Sequence, residues 1–124
     1  MSDDGVVEGL VSTCTTVGTS ETCGAQNLGG VDEMCGLPLD GIRFFRATNA
    51  AGIQGTLFLS LTGLTSTTQI TSITIGGVTL NASDGIIFGG DLAWDTSATT
   101  QAERDAIHAV LSSSQPFDVQ FTCP

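Results

Sequence analysis

A mainly β fold with one α-helix (α+β) is predicted: antiparallel sheets in a sandwich built from Gly-Gly hairpins, a helix over about 101–111 packed on them, and an extended N-terminal arm. Three observations carry this expectation. Apolar residues alternate on both sides of Gly76-Gly77 and Gly89-Gly90. A single stretch, Gln101 to Leu111, shows helical periodicity behind a good N-cap. Threonine, serine and glycine are abundant and the charged fraction is only 13%, the composition of a neutral-polar β surface. At 124 residues the chain makes one domain that buries a modest core.

Residues 1–40 form the first block, a cysteine-containing arm or set of loops; residues 41–124 form the β-rich domain with its helix. In the first block Val6, Val7, Leu10 and Val11 make a short apolar patch, and beyond it neither period is sustained. Such a segment has little core of its own. It packs on the rest of the chain, packs on another subunit, or is cross-linked. Gly41–Ala47 alternates, with Ile42 and Phe44 on one face and Arg43 and Phe45 on the other, and Asn49–Gly52 reads as a turn. In Thr56–Thr62, Leu57, Leu59 and Leu61 point inward, which leaves Phe58 outward on a face that something could cover.

The first hairpin gives the clearest register. A two-residue Gly76-Gly77 loop suits the primed turns, which need positive φ. It pairs Ile75 with Val78 and Ile73 with Leu80 on one face, and Thr74 with Thr79 on the other. The second hairpin sets Ile87 opposite Leu92 and Phe88 opposite Asp91, less regularly and with room for a bulge. Thr100 with Glu103 makes a capping box for the helix. Ala106, Ile107, Val110 and Leu111 form its apolar stripe, with Gln101, Arg104, Asp105 and His108 opposite. The closing strand places Phe117, Val119, Phe121 and Cys123 on one face, so Cys123 points inward, within reach of a cysteine from the arm.

Thirteen acids against three arginines and no lysine give a net charge of −10. That balance argues against a nucleic-acid surface and against an anionic membrane. The acidic start, Met1 to Gly5, lacks the charge and apolar run of a secretory signal, so synthesis in the cytoplasm is expected. No apolar run reaches the roughly 20 residues of a membrane helix.

The sequence carries few groups suited to catalysis. Cys14, Cys23, Cys35 and Cys123 form no C-x-x-C pair; disulfides, reduced buried thiols and a metal site all remain open, and four cysteines allow three pairings. His108, the only histidine, is expected at the surface near a helix C-terminus. Arg43 and Arg46 are expected in ordinary ion pairs. Asp3-Asp4, Asp32-Glu33 and Asp91 with Asp95 read as solvated turn carboxylates. Trp94 is read as core by its size, and is also held with Phe45 and Phe58 as a candidate interface aromatic. The glycines fit no phosphate loop. No catalytic residue, cofactor or metal is assigned.

Two stretches resemble modules of structural proteins of tailed bacteriophages. They are Ile73-Thr-Ile-Gly-Gly-Val-Thr-Leu80 and Leu92-Ala-Trp-Asp-Thr96, the latter running on into the Ala-containing helix Gln101–Leu111. The likeness covers about residues 70–123 and is to accessory domains of tail, hub and fibre-related proteins. It implies a non-enzymatic virion protein, first of the tail, baseplate or connector and otherwise a capsid decoration protein. Its partners would be other virion proteins and copies of itself, with no nucleic acid and no membrane. Arms that reach a neighbour lock symmetric assemblies, and disulfides formed after cell lysis would staple them. Two rivals remain: a β-rich adhesin using Trp94 with Asp91 and Asp95, and a small thiol enzyme.

Overall fold

The computed structural model describes residues 4–124. Its strands are β1 (Gly5–Leu10), β2 (Thr13–Val17), β3 (Ser20–Ala25), β4 (Glu33–Met34), β5 (Leu37–Ala47), β6 (Gly55–Leu61), β7 (Ser72–Ile75), β8 (Val78–Asn81), β9 (Ile86–Phe88), β10 (Asp91–Trp94) and β11 (Phe117–Thr122), with helix α1 (Gln101–Leu111) between the last two. They form two antiparallel sheets. The smaller runs β1-β11-β7-β8; the larger runs β2-β3-β5-β6-β10-β9, with β4 added on β5. The mainly β fold with one helix is therefore as expected.

Period-two patterning makes the core. Ile42, Phe44, Leu57, Leu59, Leu92 and Trp94 from the large sheet join Ile73, Ile75, Val119 and Phe121 from the small one in a single apolar cluster. Full burial of each large aliphatic side chain stabilises by about 1.5–3 kcal/mol. The paired inner faces are thus the main source of stability, and the polar contacts described below act mostly by setting position.

Both glycine hairpins have the predicted register. Ile75 faces Val78, Thr74 faces Thr79 and Ile73 faces Leu80. Phe88 faces Asp91 and Ile87 faces Leu92, with no bulge between them. Gly76 and Gly77 have φ of 60° and 77°, the left-handed values such a turn demands.

The N-terminal block differs from the arm or loops expected of it. β1 pairs with β11 in the small sheet, and β3 pairs with β5 in the large one. Val7, Leu10, Cys23, Ala25 and Met34 are buried in the common core. Its apolar residues are too sparse to show a period locally, because much of its structure comes from hydrogen bonds to strands far along the chain. The segment does pack on the rest of the chain and is cross-linked to it: Cys14 is bonded to Cys23, and Cys35 to Cys123.

The helix begins with the predicted capping box. The Thr100 side chain accepts from the Glu103 N–H, and the Glu103 carboxylate accepts from the Thr100 N–H. Its faces are rotated from those expected. Arg104 is buried with Ile107 and Leu111, whereas Ala106 and Val110 are only half-buried. The Arg104 guanidinium fills a place where loop carbonyls converge. It donates to Ile53 O at 2.8 Å, Thr99 O at 2.6 Å, Thr99 Oγ1 at 3.0 Å and Thr96 O at 3.4 Å. A buried cation with its donors satisfied in this way is tolerated where an unpaired one would not be.

Candidate interaction surface and a polar cluster under the helix

The outward face of the large sheet carries an apolar strip at its β9 end. Pairing places Phe58 of β6 beside Ala93 of β10, and Ala93 beside Ile86 of β9. Phe88 is two residues from Ile86, on the same face. Phe88 is 63% exposed, Ile86 54% and Phe45 45%. The Phe58 and Phe88 rings lie 6.3 Å apart at 53°. Between them opens a shallow depression of about 200 Å³ lined by Thr56, Phe58, Ile86, Phe88, Ala93 and Asp95. β9 is the last strand of its sheet, so among the described residues one side of its backbone has no neighbouring strand. An apolar strand at an open edge is the arrangement that invites pairing with another chain.

A charged group borders the strip. Arg43 lies with its guanidinium carbon 4.5 Å from the Phe58 ring centroid, and its Nη2 is 3.3 Å from Asp91 Oδ2. Ser60 donates to Asp91 Oδ1 at 2.8 Å. A cation–π contact at an exposed site is worth about 0.5–1 kcal/mol, and an exposed ion pair about 0–1 kcal/mol. These contacts orient Phe58 and neutralise Asp91 more than they stabilise the fold. Asp95, by contrast, serves its own turn: its Oδ1 accepts from the Ser97 hydroxyl at 2.5 Å and the Ser97 N–H at 2.9 Å. The hydroxyl bond first, then the backbone bond, hold its carboxyl below the usual range.

On the inward face, α1 covers the other end of the large sheet. There Glu21 of β3 lies opposite Arg46 of β5, and Cys23 opposite Phe44. Glu21 Oε1 accepts from Arg46 Nε and from His108 Nε2, each at 2.8 Å. The side chains of all three are 17% exposed. The His108 hydrogen bond does most to hold the Glu21 carboxyl below its ordinary value; burial opposes it, and Arg46 adds to the lowering. The Cys14–Cys23 bridge adjoins this cluster. Cys14 Sγ, Cys23 Sγ and a Glu21 oxygen lie within 4.8 Å of one another, and Cys14 Sγ is 3.8 Å from Leu111 O, near the end of the helix.

The residues singled out in the sequence thus separate. Phe45 and Phe58 lie on the outward face. Trp94 does not join them: it is 1% exposed, and its indole N–H donates to Asn81 O at 2.8 Å. Alternation along β10 turns Trp94 to the core and Ala93 outward, so Trp94 offers neither an interface aromatic nor a sugar platform with Asp91 and Asp95. Both expected arginine ion pairs form, Arg43 with Asp91 and Arg46 with Glu21. His108, expected at the surface, is largely covered by the strand it faces. All four cysteines are in disulfides. Asp4 Oδ1 accepts from the Cys123 N–H at 2.7 Å, and Asp3 lies outside the described residues. Ile86 and Phe88 were not singled out from the sequence: the hairpin register sets them against β10, but only the pairing of β10 with β6 brings them to the Phe58 face. Among the described residues no helix is long and apolar enough to cross a membrane.

No protein-family model, curated protein or solved structure matches this chain.

Proposed function

We propose that this chain is a non-enzymatic structural protein that acts in assembly, joining neighbouring subunits through the outward face of β5, β6, β10 and β9. The observation that carries the reading is the strip of exposed Phe45, Ile86 and Phe88 around half-buried Phe58, toward the open edge of the large sheet. Aromatic residues with an adjacent arginine are the composition favoured at protein interfaces. Two disulfides cross-link the fold, which suits a part that must keep its shape in an oxidising medium. The resemblance of residues 70–123 to tailed-phage structural modules makes the virion the proposed setting, with a tail, baseplate or connector place first and capsid decoration second.

The test is native mass by sedimentation across a range of concentrations, on the wild type and on Phe88→Asp and Phe58→Ser. The expected result is a defined oligomer that both substitutions shift toward monomer, while Thr79→Asp on the exposed face of β8 leaves it intact. A wild type that stays monomeric at every concentration, or an oligomer indifferent to both substitutions, overturns the use of this face for self-assembly. The virion setting is tested separately, by mass spectrometry of purified particles from a host that carries the gene.

A further inference from the structure

We propose that the reduced form of the chain binds one thiophilic divalent cation, Zn²⁺ by chemical preference, through Cys14, Cys23, Glu21 and His108, and that oxidation to the Cys14–Cys23 disulfide expels it.

Three of the four donors are already gathered, and the fourth, His108, adjoins them through Glu21. The two cysteine sulfurs and a Glu21 oxygen lie within 4.8 Å of one another, and His108 Nε2 is 2.8 Å from Glu21 Oε1. Zn–S bonds of about 2.3 Å and Zn–N or Zn–O bonds of about 2.0–2.2 Å put neighbouring ligand atoms of a tetrahedral site about 3.3–3.8 Å apart. Reduction lets the sulfurs separate toward that distance without moving the strands, because Cys14 and Cys23 face each other across β2 and β3. Two thiolates and an imidazole select Zn²⁺ over Mg²⁺ or Ca²⁺, which need oxygen cages.

Charge supports the same assignment. Two thiolates and the Glu21 carboxylate supply three negative charges. Arg46, 2.8 Å from that carboxylate, and a divalent cation supply three positive ones. The loaded cluster is neutral in a half-buried place where an uncompensated charge is costly. Exposed Cys14 gives the cation a way in, while Cys23 is fully buried.

The chemistry balances. Reduction of the disulfide by a thiol reductant adds two electrons and two protons and gives two thiols. Binding Zn²⁺ releases those two protons to solvent. In the reverse direction a small-molecule disulfide accepts two electrons from the two zinc-bound thiolates. The protein S–S bond forms, the S–S bond of the oxidant breaks into two thiolates, and Zn²⁺ leaves with its charge unchanged.

The experiment uses the full chain, reduced anaerobically with a phosphine and titrated with Co²⁺, then Zn²⁺. The expected result is one equivalent of Co²⁺ with tetrahedral d–d absorption and a thiolate-to-cobalt charge-transfer band, both lost on adding Zn²⁺. Cys14→Ser and Cys23→Ser should each roughly halve the charge-transfer band, one thiolate of the two being lost, and the double variant should remove it. His108→Gln and Glu21→Gln should weaken binding by at least about 10-fold, since even outer-shell changes at metal sites cost about 10–100-fold. Alkylation mapped by mass spectrometry gives an independent readout: Zn²⁺ should shield Cys14 and Cys23 and leave Cys35 and Cys123 reactive. Three outcomes overturn the proposal: no thiolate-to-cobalt band, a band that survives the Cys14→Ser and Cys23→Ser double variant, or equal shielding of all four thiols. A reduced chain that unfolds and is not refolded by Zn²⁺ overturns it too, because metal binding to a native site is linked to folding.

Discussion

Cys35 is bonded to Cys123 across 88 positions of sequence, and this bond ties the β4–β5 turn of the large sheet to the end of β11 in the small one. In the chain-entropy model, closing a loop of that length stabilises by about 4–5 kcal/mol, against about 3 kcal/mol for the nine-residue separation of Cys14 and Cys23. Cys35→Ser with Cys123→Ser should therefore cost more than Cys14→Ser with Cys23→Ser. Urea unfolding of the two double variants without reductant measures the difference; the opposite order would show that the short bridge is the principal staple.

Arg104 supplies a second prediction. Its guanidinium satisfies carbonyls of the Ile53 loop and of the segment leading into α1. Arg104→Leu keeps much of the volume but leaves those carbonyls without their donor. The loss should be about 2–4 kcal/mol, two unsatisfied buried groups at about 1–2 kcal/mol each, within the usual range for such groups. Thermal unfolding would register it, whereas a surface arginine would give a change within about 0.5 kcal/mol.

Acid should act through Glu21. Its folded pKa lies below the ordinary 4.5 because His108 and Arg46 favour the carboxylate. Its contribution to stability is therefore fully present above the unfolded value and is lost as pH falls through the lower folded value. The stability gap between wild type and Glu21→Gln should therefore shrink as pH falls below about 4.5. A gap that widens with acid would mean that the fold favours the protonated Glu21 carboxyl.

The first hairpin turn tests how α1 is seated. Added as a Cβ, a side chain on Gly76 would meet Val110 Cγ2 at 2.6 Å and Ala106 O at 3.3 Å, whereas one on Gly77 would meet nothing within 4 Å. Asn is the residue after Gly that best accepts positive φ. Gly77→Asn should thus change stability by no more than about 1 kcal/mol, and Gly76→Asn should cost about 1–3 kcal/mol through overpacking against the helix. Equal tolerance at both positions would mean that the helix does not rest on the turn.

What the residues alone determined was local. Alternation placed Leu57, Leu59 and Leu61 inward, the Gly-Gly turns set both hairpin registers, and Thr100 with Glu103 marked the start of the helix. Each signal lies within a dozen residues and needs no knowledge of a partner. Tertiary structure alone decided the rest. It chose the disulfide pairing, drew β1 and β3 into different sheets, buried Arg104, brought Glu21 to His108 across 87 positions, and left Ile86 and Phe88 bare at the edge. Those outcomes depend on which distant segment supplies a hydrogen-bonding edge, a carbonyl cluster or a covering helix. That choice is made by the joint packing of the whole chain, and no window of sequence carries it.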